Sequence, residues 1–138
     1  MDTKKILIGG IIGSVVYFFL GWLVYGILLK ETLAIPEEMS AVIEYSADEW
    51  KMSFMIISCL AQGWFLAFIF NRWAGISTFI GGAKGGVIIG AFISVIVGTS
   101  MLSMYKFGSV PNLVIDVVAN AICMGLTGGV IGWYLGRK

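Results

Sequence analysis

Apolar residues in this chain gather into four long runs, and most charged residues fall between them. Residues 6–29 are apolar apart from small or aromatic polar side chains, and residues 52–70, 85–104 and 113–135 repeat the pattern. About 20 such residues in a helix cross a hydrocarbon core of roughly 30 Å. Each run therefore predicts a transmembrane helix. The connections are a charged stretch over residues 30–51, a shorter one over 71–84, and a tight one carrying Lys106, Gly108 and Pro111. Short connections make neighbouring helices antiparallel. The expected fold is an all-α membrane protein, an antiparallel bundle of four transmembrane helices forming one domain over residues 1–138.

Lys4 and Lys5 precede the first run, as in a secretory signal. That run exceeds the roughly 7–15 apolar residues of a signal peptide and ends at Val24-Tyr25-Gly26-Ile27 without a cleavage pattern. Retention as a membrane span is expected. Basic residues stay cytoplasmic. Lys4, Lys5, Arg72, Lys84, Arg137 and Lys138 fall on one side of the pattern and Lys30, Lys51 and Lys106 on the other, which predicts cytoplasmic termini. The outer face would then carry Glu31, Glu37, Glu38, Glu44, Asp48 and Glu49.

Within that connection, Pro36 followed by two acids reads as a helix start, because proline suits the first turn and carboxylates suit the positive end of the helix dipole. Ile35, Met39, Val42, Ile43 and Trp50 recur at helical spacing. They predict a short amphipathic helix at the outer interface, with a solvated loop as the alternative. Residues 73–80 are apolar but too short to span; they either extend the third helix inward or lie among headgroups.

Composition narrows the choice of solvent. Hydrophobic residues make up 59% of the chain and charged ones 12%, against roughly 45–50% and 25% in soluble domains. Lipid is the implied partner. A formal charge of +1 without a basic cluster argues against a nucleic-acid surface. With no histidine, and with Cys59 and Cys123 both inside apolar runs, neither a metal site nor a disulfide framework has its ligands. No cofactor is expected, and the cysteines read as buried structural thiols.

One pattern stands out inside the third run. Gly82, Gly86, Gly90, Ser94 and Gly98 place a small residue at every fourth position. In lipid, helix association depends on close backbone approach, and small residues four apart form a groove for it. Gly128 and Gly132, with Gly136, form a second groove, and Gly125 and Gly129 lie beside it. Gly9 and Gly13 begin a third. The two long stripes predict that the last two helices pack together; homodimerisation through a groove is the alternative. Gly81-Gly82-Ala83-Lys84-Gly85-Gly86 is not a phosphate loop, since Ser or Thr does not follow the lysine. Lys84 is expected to reach the inner headgroups.

Polar residues within the runs lie at similar depth. Counting about 1.5 Å per residue, Tyr25, Ser58, Gln62, Thr99, Ser100, Asp116 and Asn120 all fall in the outer half. Asp116 is the only acid within a predicted span. It requires a partner or water, for which Lys106, Tyr105 and Ser103 are candidates across the tight turn. In one reading Asp116 caps or anchors the start of the fourth helix while Gln62 and Asn120 bond between helices. In the other, Tyr25, Ser58, Gln62, Thr99, Asp116 and Asn120 line an outward pocket for a small solute or a proton. Catalysis lacks a histidine base, a nucleophile motif or an in-span carboxylate pair.

The stretch Gly21-Trp22-Leu23-Val24-Tyr25-Gly26-Ile27-Leu28-Leu29-Lys30, together with Gly98-Thr99-Ser100-Met101 leading to Tyr105, resembles the bacterial membrane family named domain of unknown function 1761. Gly21, Tyr25, Thr99, Asn120 and Gly125 fit its pattern, whereas Val24 stands where that family has tryptophan. The resemblance implies a four-helix architecture and residence in the bacterial inner membrane, and no activity. The expected function is non-enzymatic, exercised through helix packing and contacts with other membrane proteins, a homo-oligomer included. The alternative is a small carrier or channel.

Overall fold

The computed structural model describes residues 2–46, 48–106 and 108–137. Among these residues every regular element is helical. Helix α1 (Thr3–Leu23) runs into a π-helical turn over Val24–Leu28, α2 covers Glu37–Ile43, and α3 (Met52–Ile69) ends in a second π-helical turn over Phe70–Ala74. Helices α4 (Phe79–Met104) and α5 (Val110–Leu135) complete the order. Four of these, Thr3–Leu28, Met52–Ala74, Phe79–Met104 and Val110–Leu135, are long and apolar enough to cross a membrane.

The helix starts have local causes. Asp2 accepts the Lys5 N–H at 3.2 Å, Thr78 accepts that of Gly81 at 3.1 Å, and Ser109 accepts that of Asn112 at 3.3 Å. Each side chain satisfies a donor that the first turn leaves free. Pro111 sits in the first turn of α5, where its missing N–H removes nothing. Capped in this way, α4 begins before residue 85 and α5 before residue 113. The apolar stretch over 73–80 is divided: its first residues finish α3, Gly75 reverses the chain, and its last residues open α4. Gly75 has φ +58°, the one left-handed backbone among the described residues, and the Ile76 N–H folds back onto the Phe70 carbonyl at 3.0 Å.

Helix α5 is the hub. It packs along the length of α4 and also against α1 and, more briefly, α3, while α1 and α3 pack on each other. Pairings across α4 and α5 run in opposite senses: Gly82 meets Gly128 and Gly132, Gly86 meets Met124 and Gly125, and Gly98 meets Leu113. The core of Ile6, Leu66, Ala67, Phe70, Met124, Ile131 and Leu135 lies toward one end, with Tyr17, Ile69, Ile76, Ile89 and Ile93 around it. At that end the start of α1 meets the residues that follow α5, where Lys5 Nζ donates to the Arg137 carbonyl at 2.5 Å. At the opposite end the bundle opens, and residues 51–58 at the start of α3 are all exposed.

Exposed tryptophans flank both ends of the spans, Trp22 and Trp50 at the open end and Trp73 and Trp133 at the closed one. Tryptophan concentrates at membrane–water interfaces, where its ring is half apolar and its N–H wet. Arg137 lies over the Trp133 ring at 4.0 Å. Helix α2 is shorter than the spacing suggested, since it stops at Ile43 and leaves Trp50 outside.

Candidate functional site

The glycine stripes meet each other within the chain. A Cβ on Gly82 would strike the Gly128 carbonyl oxygen, one on Gly86 the Met124 carbonyl oxygen, and one on Gly128 the Gly82 carbonyl oxygen. On Gly90 it would lie 2.6 Å from Met124 Cβ, and on Gly132 it would strike the Thr78 carbonyl oxygen. Backbone against backbone leaves no room for a methyl group, so glycine is required by contact rather than by conformation. Gly125 and Gly129 also face α4, against Val87 and the Phe79 ring.

A second close crossing joins α1 to α3. A Cβ on Gly63 would collide with the Gly10 carbonyl oxygen and the Ser14 hydroxyl, and Gly10 faces the Trp64 ring. Trp64 Nε1 donates to the Leu7 carbonyl at 3.2 Å, and Ser14 Oγ donates to the Gly10 carbonyl at 2.7 Å. Gly63 is the one glycine of α3, with Cys59 and Ala67 four positions to either side, so no glycine stripe announced it. Gly9 turns instead toward Tyr134 and Leu135 of α5, and Gly13 toward Ile131.

Above the glycine contact, Asn120 ties three helices together. Its Nδ2 donates to the Gly90 carbonyl at 3.1 Å and to Ser94 Oγ at 2.9 Å, both on α4. Its Oδ1 accepts the Tyr17 hydroxyl of α1 at 3.0 Å. Both amide hydrogens and the oxygen are thus used, as a buried amide requires. Tyr17 gave no signal in the sequence, because a tyrosine in an apolar run reads as one more hydrophobic residue. On the α3 side, Gln62 Nε2 donates to the Met124 sulfur at 2.7 Å.

Asp116 has a different setting. Its Oδ1 accepts the Tyr25 hydroxyl at 2.9 Å, and that hydroxyl also lies 3.3 Å from the Asp116 carbonyl. The partner is therefore across from α1 rather than across the tight turn: Ser103 Oγ donates to the Ser100 carbonyl at 2.8 Å, and Lys106 borders a neighbouring cleft with Glu38. Nor does Asp116 cap α5, since Ser109 holds that role and Asp116 sits roughly 10 Å further along the axis. An ionised carboxylate in a span costs about 2.5–3.5 kcal/mol at the helix centre and less toward the edge. One hydrogen bond from Tyr25 offsets only part of that. Asp116 also borders an open cleft of about 250 Å³ between α4, α5 and the connection after α1.

The six residues expected to share a pocket thus fall apart. Tyr25 and Asp116 pair beside the open cleft; Asn120 and Gln62 serve interhelical bonds. Thr99 and Ser58 join neither group. The Thr99 hydroxyl donates to its own helix at the Val95 carbonyl, 2.6 Å away, on an exposed side of α4. Ser58 lies on the exposed start of α3, beside Tyr45, Trp50 and Lys51. Depth along a helix was legible for both, but rotation about its axis was not. Cys59 and Cys123 are buried and free, and the described residues contain no group of three or more His, Cys, Asp or Glu placed to hold a metal ion.

No protein-family model, curated protein or solved structure matches this chain. The chemistry of its own residues has to carry the functional reading.

Proposed function

We propose that this is a small non-enzymatic protein of the bacterial inner membrane, an antiparallel four-helix bundle that acts through contacts with other membrane chains, a second copy foremost. The observation that carries the reading is the lopsided use of α4. It gives α5 one narrow stripe, while Ile88, Phe92, Ile96, Thr99 and Ser100 remain on open sides. Thr99 and Ser100 turn their hydroxyls onto their own helix, at the Val95 and Ile96 carbonyls, and such residues exchange those bonds for bonds across a helix interface. Because the glycine stripes are consumed inside the chain, the second copy would meet this hydroxyl-bearing side instead.

Orientation follows from charge. Lys4, Lys5, Arg72, Lys84 and Arg137 belong to the closed end of the bundle, which retention of basic residues makes cytoplasmic. The open end, with its acids, then faces outward, and α2 lies along the outer interface with Met39, Val42 and Ile43 over the end of α4. The likeness to domain of unknown function 1761 agrees with this architecture and adds no chemistry.

Disulfide trapping tests the contact. In a Cys59→Ala, Cys123→Ala background, single cysteines at Ile96 or Ser100 should cross-link between chains in oxidised membranes, whereas one at Val15 on the exposed side of α1 should not. Equal trapping at all three, or none at any, removes the support for an α4 contact. A carrier reading keeps one specific observation, the Asp116 carboxylate beside an outward cleft.

A further inference from the structure

We propose that the cleft beside Asp116 binds a monovalent organic cation with an apolar body, of the alkyl- or arylammonium class. This goes beyond the contact function above and does not depend on it. The walls are mostly apolar, with Leu33 and Ile35 from the connection after α1, Met101 and Leu102 from the end of α4 and Leu113 from α5, and the neutral polar Ser109 and Asn112 beside them. Among the described residues, the one charged side chain on the lining is Asp116. An apolar cleft with one fixed anion suits a ligand that brings a hydrophobic body and one positive charge. A bare metal ion requires several oxygen ligands, and these walls supply few. A neutral solute would leave the carboxylate without a counter-charge.

Two further features agree. First, no Lys or Arg among the described residues pairs with Asp116, although Lys106 is only a few positions before α5; an embedded carboxylate without a cationic partner is the usual mark of a ligand or ion path. Its only side-chain partner is Tyr25, which donates to Oδ1 and leaves Oδ2 without a donor among the described residues. Second, Tyr25 sits in the π-helical turn over Val24–Leu28. Such turns interrupt the regular ladder and recur at functional sites; here the turn carries the hydroxyl that orients the carboxylate. Tyr25 is thus a positioning residue, and Asp116 the group that meets the ligand. At the same end Glu31, Glu37, Glu38, Glu44, Asp48 and Glu49 outnumber Lys30, Lys51 and Lys106, and the net negative charge raises the local concentration of cations by long-range attraction.

Phenethylammonium is the probe, and 2-phenylethanol, with the same body and no charge, is its control. Binding to the full chain in lipid nanodiscs is read by calorimetry. The wild type should bind the cation saturably, and the alcohol should not compete. Asp116→Asn should weaken binding by about tenfold or more. Tyr25→Phe should weaken it severalfold. Leu33→Trp fills the cleft from a connecting segment without touching the carboxylate, so it should abolish binding while helicity and melting stay at wild-type values. Ser58→Ala, on the other side of the bundle, should bind normally. The proposal is overturned by a folded wild type that shows no saturable binding up to roughly 10 mM, by an Asp116→Asn protein that binds equally well, or by equal competition from the alcohol. Cross-linking through α4 reads a different surface, so either proposal can fail alone.

Discussion

Tyr17 on α1 and Asn120 on α5, 103 positions apart in sequence, meet at 3.0 Å with the tyrosine hydroxyl donating to the amide oxygen. The same amide donates to Gly90 and Ser94 on α4, so one side chain fixes the mutual height of three helices. Hydrogen bonds between membrane helices average about 0.6 kcal/mol each. Asn120→Ala should therefore lower unfolding stability in detergent by about 1–2 kcal/mol, and Tyr17→Phe by about 0.6 kcal/mol. Equal losses for the two would show that the amide does not act as a three-way tie.

Glycine at position 86 is irreplaceable for a steric reason, since a Cβ there meets the Met124 carbonyl oxygen. Gly86→Ala should force α4 and α5 apart at a cost of about 1–3 kcal/mol. Gly21, with nothing near its would-be Cβ, supplies the contrast: Gly21→Ala should be neutral or stabilising by up to about 1 kcal/mol. Thermal melts of the two proteins side by side decide the matter.

Thr127 is fully buried, and its Oγ1 has no hydrogen-bond partner among the described residues. An unpaired buried hydroxyl carries a desolvation penalty of about 1–3 kcal/mol. Valine has nearly the same shape and no such group. Thr127→Val should raise the melting temperature, and a fall would mean that the hydroxyl has a partner in the membrane.

The turn after α3 depends on one backbone state. At φ +58° a β-branched residue is strained by roughly 1–2 kcal/mol, whereas asparagine is tolerated better. Gly75→Val should destabilise the protein clearly more than Gly75→Asn. Because no side chain crowds this position, a difference between the two variants reports conformation alone.

Much of this arrangement was legible beforehand, and the failures share a cause. Run length located the four spans because the hydrocarbon thickness dictates it, and four-residue spacing of small residues exposed the α4 stripe because only one helix face carries it. Rotation of individual helices was harder. Thr99 and Asn120 lie in the same half of the bundle, yet one points outward and the other into the bundle, since α4 turns only its glycine side to α5. Ser58 was misplaced because the start of α3 is exposed on every side through residue 58, which hydropathy does not register. Tyr17 acts through a single contact, which has no period to detect, and Gly63 is the one glycine of its helix. Capping by Thr78 and Ser109 explains why α4 and α5 start earlier than apolar content alone suggested.

The placement of α5 also bears on how the protein is assembled. It follows the other three spans in the sequence, yet among the described residues it supplies the one extensive neighbour of α4 and also packs on α1. While the ribosome is still at work, α1 and α3 can join through Gly10 and Gly63, but α4 has to wait in lipid with its notched side unfilled. Assembly of this four-helix unit is thus completed only when α5 arrives, and a nascent form lacking α5 would present the insertion machinery with an orphaned helix.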